Sequence, residues 1–503
     1  MPAGDAWPDL GALRRELAEV PDSARLRPLG LGRVVTGAGA VAGLADVAAG
    51  LGPSGGEAVV LAAATPMSAG GRDLRAAVEK ALGTRFAVRW VTVGPGNGVV
   101  HADEPTLGAA VGAAAGAACV VTVGSGTITD IGKESARDGR PLVAVQTATS
   151  VNGYADPFSV LLYRGVKRTA VSRWPDVLVI DPEVLLDAPP DLNRAGAGDM
   201  MAMFTANADW YLASAVHGQV PPGPGPGDGP SRLPGDPPYH PAVAGLVRAR
   251  GPRLLELAPG LSPDAGRGGQ ASARPGAGPL EELAGLLTLS GIAMGVAGST
   301  APASGMEHAI SHLLEMAATA RGAPASFHGT QVGVASVVAA RTWAHVLRRA
   351  ADGGLERPAR LPDPDAVRDR IDQAFAAVDS SGAMAAECFA GYATKVRRLG
   401  SGDDPGGPLT ALRGSWAAHR DVLDRLLIEP AALAGALRAA GLPTRFCDLP
   451  EPVDDETARW AVANGALQRE RFGVADLALL MGAWEETDID EVLAGVTSAA
   501  KQP

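Results

Sequence analysis

The sequence predicts an α/β N-terminal nucleotide-binding domain with a mostly parallel, Rossmann-like sheet, followed by an all-α C-terminal domain. Three observations predict it. Over residues 1–186, short β-rich runs alternate with Ala-rich helical stretches, the pattern of βαβ units. From residue 187 to 503 the strand signals largely stop and helical periodicity takes over. Within the first of these regimes, one buried run ends in Gly124-Ser125-Gly126 directly before a helix, the local design that faces backbone N–H groups and a helix dipole toward an anion.

The elements follow in order. Strands are expected at 33–35, 58–61, 87–93, 119–123, 142–145 and 177–180, each a short run dominated by Val, Ala, Leu or Ile. The uncharged run 107–129 is long enough to span a bilayer, but it is mostly Ala and Gly and is broken by Gly124 and Gly126, so it reads as a helix followed by a strand. Helices are expected at 191–216, 280–298, 306–321, 331–352, 364–399, 409–426 and 455–471. Two Pro/Gly-rich insertions interrupt them, at 218–239, where 14 of 22 residues are Gly or Pro, and at 259–279. Such composition cannot bury a core.

At 503 residues, with 46% hydrophobic content and a net charge of −11, the chain reads as a soluble, mildly acidic globular protein long enough for two or more domains. Nothing basic calls for nucleic acid, and no membrane partner or secretory signal is read from residues 1–17. Cys119, Cys388 and Cys447 form no CxxC pattern and suit a reducing compartment, so the cytoplasm is expected.

Four stretches carry chemistry. VVTVGSGTITDIGK, 120–133, suits a dinucleotide pyrophosphate or a plain turn before a helix. The earlier strand, AVVLAAATPMS, ends without the acidic residue that usually holds an adenosine ribose, so NAD and NADP stay equally open. VQTATSVNGYAD, 145–156, places Thr147, Ser150, Asn152 and Asp156 at the carboxyl end of a parallel strand, where open α/β sheets bind ligands. NRAGAGD puts Asp199 at or near the start of a helix, as an N-cap or a ligand. In SGMEHAISH, His308 and His312 stand at i and i+4 on one helix face, as surface or core histidines or as ligands, and His328 follows in FHGT; Asp199, His308 and His328 can complete an Asp-His-His set that leaves coordination positions open. Glu307 reads as helix surface or as support for its neighbour. Lys167 and Arg168, in YRGVKRT, are the nearest candidates for a substrate phosphate, against a solvated basic turn.

Taken in order, GSGTITDIGK, QTATSVNGYAD, AGAGD, ASGMEHAISH, FHGTQVGVAS and the tail RERFGVADLALLMG resemble the glycerol-1-phosphate dehydrogenases, within the superfamily shared with iron-containing alcohol dehydrogenases and dehydroquinate synthases. The resemblance implies a dehydroquinate synthase-like fold and an NAD(P)-linked, metal-dependent oxidoreductase that interconverts a ketone and a secondary alcohol on a small polyol phosphate. It assigns Gly124, Ser125, Gly126, Thr127, Asp130, Thr147 and Ser150 to the cofactor. Asp199, His308 and His328 become ligands of one divalent metal, zinc first, nickel or iron otherwise. Asn152, Asp199 and His312 become substrate contacts, with Asp199 and His312 the catalytic pair. A homodimer is expected from the same resemblance. Two positions depart from the pattern: Asn152 stands where the family has Asp, and Asp156 where it has Ser, so a negative charge is lost beside the substrate and one is gained near the cofactor. Two other classes stay open, a carbocycle-forming lyase of the dehydroquinate synthase kind and a non-catalytic binding member. The chain lacks the VDSSVGGK-like loop of the first, and retention of Asp199, His308 and His328 argues against the second.

Overall fold

Six strands form one parallel sheet in the order β1-β8-β5-β4-β2-β3, where β1 is Arg33–Thr36, β2 Glu57–Ala62, β3 Ala87–Thr92, β4 Cys119–Gly124, β5 Leu142–Gln146 and β8 Val177–Ile180. The computed structural model describes residues 9–52, 55–96, 99–217, 237–263, 276–356, 364–399 and 408–499. All six strands coincide with those expected. They were legible because both faces of the sheet are buried, which demands continuous apolar runs. Val60, Val121, Val143 and Val179 pack on one face against Leu44, Leu74, Val78 and Leu82. Val59, Val120 and Leu142 pack on the other against Ala110, Ala114, Ile128 and Ile131.

Chain order reverses across the sheet between β2 and β4, because β3 continues on one side of β2 and β4 returns on the other. Open α/β sheets bind ligands in the crevice at the carboxyl ends of strands flanking such a switch. The Gly124-Ser125-Gly126 turn leaves β4 at that crevice and leads into α1, Gly126–Ser135.

A β-hairpin was not expected. β6, Phe158–Tyr163, and β7, Val166–Val171, pair antiparallel through Arg164 and Gly165, whose φ angles of 49° and 78° suit a two-residue hairpin turn. Lys167 and Arg168 are therefore strand residues, not a basic turn.

The later chain is helical. α2 spans Pro190–Met200, α3 Met203–His217, α4 Ala277–Ala297, α5 Met306–Ala320 and α6 His328–Ala351. The expected 191–216 helix thus breaks at Met201–Ala202, the expected 364–399 helix divides into Pro364–Ala376 and Ala383–Leu399, and the 409–426 helix divides near Ser415. Helices at Pro241–Arg248, Gly251–Leu261, Pro430–Ala439, Val474–Leu480 and Glu486–Ala499 were missed, their apolar stripes being short. α4 is long and apolar enough to cross a membrane, yet 83% of its most apolar stretch is buried inside the protein. Of the two insertions, 218–236 and 264–275 lie outside the described residues. Their margins are narrower than expected: Tyr239 packs edge-on against Trp210 and Tyr211 at 5.1 and 5.3 Å between centroids, and residues 259–261 complete a helix.

Candidate active site

Asp199 is the penultimate residue of α2, not the start of a helix. Pro190 opens that helix at a position where its missing N–H costs nothing, and the chain runs on through Ala197 and Gly198 before the break. The glycines of AGAGD explain where the helix lies. A Cβ on Gly196 would stand 1.9 Å from the Thr149 carbonyl oxygen, and one on Gly198 would stand 2.2 Å from that of Gly329. Reciprocally, a Cβ on Gly329 would stand 2.0 Å from the Ala195 carbonyl. Backbone therefore meets backbone, and Asp199 reaches the amino end of α6, where His328 is the first residue.

α5 supplies the third group. His308 Nε2 stands 3.4 Å from Asp199 Oδ1 and His328 Nε2 stands 3.9 Å from the same oxygen. One donor atom from each of the three lies within 4.8 Å of the others. A tetrahedral cation with bonds of about 2 Å would set its ligand atoms about 3.3 Å apart, so the donor set fits one ion. Both imidazoles are aimed by carboxylates. His308 Nδ1 is 3.2 Å from Glu307 Oε1, and His328 Nδ1 is 3.1 Å from Glu315 Oε1. These contacts leave each Nε2 toward Asp199 and favour the tautomer that ligates through it. Glu307 is thus fully buried support for His308, not helix surface. Burial opposes charge on His308, but Asp199 and Glu307 outweigh it and hold its pKa above the ordinary value.

His312 lies beside this group without joining it. Its ring is 6.2 Å from that of His308 and 5.4 Å from that of His328. A second trio, His312, Glu315 and His328, is also compact enough for an ion. Glu315, however, is ion-paired with Lys167, and His328 turns its Nε2 to Asp199, which favours the first trio. Burial, together with His328, Arg469 and Lys167, holds the His312 pKa well below the ordinary value. His312 is therefore a neutral imidazole, able to donate or accept a hydrogen bond.

The cofactor candidates divide. Ser125 and Thr127 are partly exposed, and Gly124 and Gly126 are buried beneath the 147–156 loop. Thr147 and Ser150 are buried within that loop, their hydroxyls in hydrogen-bonding reach of the Tyr154 phenol. The Asp130 carboxylate is engaged within the protein, accepting from Lys133 Nζ at 3.1 Å and from the Val160 N–H at 3.0 Å. Asp156, also buried, is 2.9 Å from Lys133 Nζ, so the added negative charge is compensated internally and is not offered to a ligand. The Asn152 side chain is likewise engaged, its Nδ2 donating to Ser290 Oγ at 3.2 Å, while its main-chain N–H donates to Asp199 Oδ2 at 3.2 Å. Arg168 is consumed by Glu387 and the Gln468 carbonyl. Sequence reasoning missed Glu315, Lys133 and Tyr154. Only Lys133 left a signal, as a lone cation three residues beyond Asp130 in a buried helix.

Replacing Gly126 with Val should weaken nicotinamide binding while metal content is unchanged. The structure adds a reason beyond blocked backbone approach, since a Cβ there would stand 2.6 Å from Val151 Cγ2 and push the overlying loop. We expect at least a tenfold loss of cofactor affinity by fluorescence titration, equivalent to about 1.4 kcal/mol. Unchanged affinity would remove the turn from the cofactor site.

Behind Glu307, Asp209 caps two helices, accepting the Met306 and Val474 N–H groups at 2.8 and 3.1 Å. Burial, then the neighbouring Glu307 carboxylate, pushes its pKa up to about 7. Because the folded value exceeds the unfolded one, its stabilising contribution is complete below about pH 4 and lost as pH rises through 7. The full change corresponds to about 4 kcal/mol. Asp209→Asn, which cannot titrate, should therefore gain in Tm relative to the native chain between pH 5 and pH 8. Parallel Tm–pH curves for the two proteins would contradict this.

Residues 35–189 match the family model described as iron-containing alcohol dehydrogenase. The chain is 34% identical over 243 residues to the glycerol-1-phosphate dehydrogenase, NAD(P)+, of Bacillus licheniformis, covering 48% of this chain and 53% of that one. It is 29% identical over 259 residues to the protein of the same name from Bacillus subtilis, covering 51% and 55%. The chain thus spans about half the length of the curated relatives it matches. Among solved structures, glycerol dehydrogenase from Schizosaccharomyces pombe aligns at TM-score 0.55 and 15% identity over 93% of this chain and 90% of that one. Maleylacetate reductase from Agrobacterium tumefaciens aligns at TM-score 0.52 and 18% identity over 95% and 100%. Those likenesses establish the fold. At the level of sequence, the chain is similar over about half its length to proteins named glycerol-1-phosphate dehydrogenase, and residues 35–189 match the iron-containing alcohol dehydrogenase model.

Proposed function

We propose that the chain is a metal-dependent, NAD(P)-linked dehydrogenase that interconverts a ketone and a secondary alcohol, with dihydroxyacetone phosphate and glycerol 1-phosphate as the substrate pair. The observation that carries this reading is the convergence of Asp199, His308 and His328, linked through Asn152 and Tyr154 to a Gly-Ser-Gly turn at the switch point of a parallel sheet. Asp199, His308 and His328 would hold a divalent cation, which would supply Lewis-acid polarisation of a carbonyl oxygen, and a nicotinamide at the Gly-Ser-Gly turn would supply or accept the hydride. Zinc, nickel and ferrous iron all suit two imidazoles and a carboxylate.

The chain's own residues do the rest. Glu307 and Glu315 fix the orientation of His308 and His328. His312, held neutral, can hydrogen-bond the substrate hydroxyl and pass its proton. Lys167, which shares its charge with Glu315, and Arg469 both act electrostatically on His312, and these are the cations that an anionic substituent of the substrate would meet. The names of the curated relatives point to the same phosphate.

The test is a screen of the metal-reconstituted protein against dihydroxyacetone phosphate, glycerol phosphates and simple alcohols with both nicotinamides. Net oxidation of NADH or NADPH by dihydroxyacetone phosphate is expected. Metal-loaded protein that binds a nicotinamide yet never turns it over in net terms would overturn the dehydrogenase reading in favour of a lyase that recycles its cofactor.

A further inference from the structure

Lys133 has no exposed surface, and its ammonium reaches four oxygens: Asp130 Oδ1 at 3.1 Å, Asp156 Oδ1 at 2.9 Å, and the main-chain carbonyls of Gly153 and Phe158, each at 2.6 Å. An ammonium carries three protons, so this group is bonded to capacity. Tying α1 to the protein would not require two carbonyls from another segment. Those carbonyls bracket the short turn Gly153–Ala155, and that turn is anchored at both of the places where the reaction is proposed to occur. On one side, the Asn152 N–H donates to Asp199 Oδ2 at 3.2 Å. On the other, the Tyr154 hydroxyl donates to the carbonyl oxygen of Gly124 at 3.1 Å, at the start of the Gly-Ser-Gly turn.

We infer that Lys133 is a positioning residue for hydride transfer, which fixes the spacing between the cofactor turn and Asp199 by holding the 152–156 segment against α1. The inference rests on the dehydrogenase reading above. Its chemistry is geometric: reacting atoms must meet at about 3–3.5 Å, and a displacement of about 1 Å costs about a hundredfold in rate. Lys133 touches neither reactant. It acts through Gly153 and Asn152 on the metal carboxylate, and through the turn and Tyr154 on the cofactor loop.

Lys133 with Asp130 and Asp156 carries a net charge of one negative unit, which removing Lys133 alone would double, so the first variant pairs Lys133→Met with Asp156→Asn to keep it. The second, Tyr154→Phe, deletes one hydroxyl and keeps the fold's apolar contacts. Each is assayed for metal content, for nicotinamide affinity without substrate, for kcat and KM, and for the isotope effect with 4-deuterated nicotinamide. We expect metal and cofactor affinity within about threefold of the native protein, kcat about a hundredfold lower in the paired variant, KM little changed, and an isotope effect that rises as hydride transfer becomes limiting. A separate readout needs no turnover. With Co(II) in place of the resident metal, nicotinamide binding should shift the visible bands of the native protein and not of the paired variant. A folded, metal-loaded paired variant with near-native kcat, or one whose lost activity is matched by lost metal or lost cofactor affinity, would overturn the inference. A native protein inactive on every substrate but showing the Co(II) shift, abolished in the variant, would instead overturn the dehydrogenase reading and leave the coupling standing.

Discussion

His308→Ala should strip the metal and abolish turnover, whereas His312→Ala should keep the metal and lose activity in kcat, KM or both. The two imidazoles share a helix face, so composition and spacing alone give them equal standing. The structure separates them. His308 Nε2 is 3.4 Å from Asp199 and its Nδ1 is held by Glu307, so its removal takes one of three protein ligands from the site. Two remaining ligands compete poorly with water and buffer. Because Lewis-acid stabilisation is worth several kcal/mol, turnover should fall by about a thousandfold or more. His328→Ala and Asp199→Ala should behave alike, since their donor atoms complete the same trio. His312 belongs to no trio that includes Asp199, and its loss should leave elemental analysis unchanged while kinetics alter. Equal metal depletion in His308→Ala and His312→Ala would mean that both imidazoles coordinate. Full metal in Asp199→Ala would remove the trio itself as the site.

How much of this was legible depends on whether the signal lay in side chains or in main chain. The sheet was legible strand by strand because burial of both faces forces runs such as CVVTV and LVAVQ, which little else explains. The hairpin was not, because Arg164-Gly165 between two partly exposed strands reads as a polar loop, and only the φ angles reveal the turn. The convergence of Asp199, His308 and His328 was legible through an i, i+4 histidine pair and a motif resemblance. Asp199 was misplaced within its helix because the break after it falls at Met201–Ala202, where neither Gly nor Pro marks an end. The engagement of Asp130 and Asp156 within the protein was not legible for a related reason: their partner Lys133 is recruited mainly through carbonyls of Gly153 and Phe158, which no side-chain pattern announces. Buried charge was the cue, since three ionisable groups near one apolar helix must compensate each other.

Gly198→Ala should destabilise the protein and weaken metal binding together, although Gly198 ligates nothing. In most helices this exchange helps, by about 0.5–1 kcal/mol, because glycine loses more backbone entropy on folding. At Gly198 the new methyl would stand 2.2 Å from the Gly329 carbonyl oxygen, 3.0 Å from its carbonyl carbon and 3.5 Å from Gly333 Cα. All three atoms are main chain of α6, so no rotamer change relieves the clash and α2 must move away. Overpacking against movable side chains costs about 1–3 kcal/mol, and a rigid backbone obstacle should lie at or beyond the upper end. The displacement acts on the site directly, because Asp199 follows Gly198 and Gly329 follows His328, so separating the glycines separates two ligands. Gly435→Ala is the internal control: Gly435 lies within helix Pro430–Ala439 with nothing within 4 Å of the added carbon, and its Tm should hold or rise slightly. The measurement is thermal unfolding with and without added metal, alongside metal content of the purified variants. A Gly198→Ala protein that matches the Gly435→Ala control in both would show that the close approach of α2 and α6 does not set the position of Asp199.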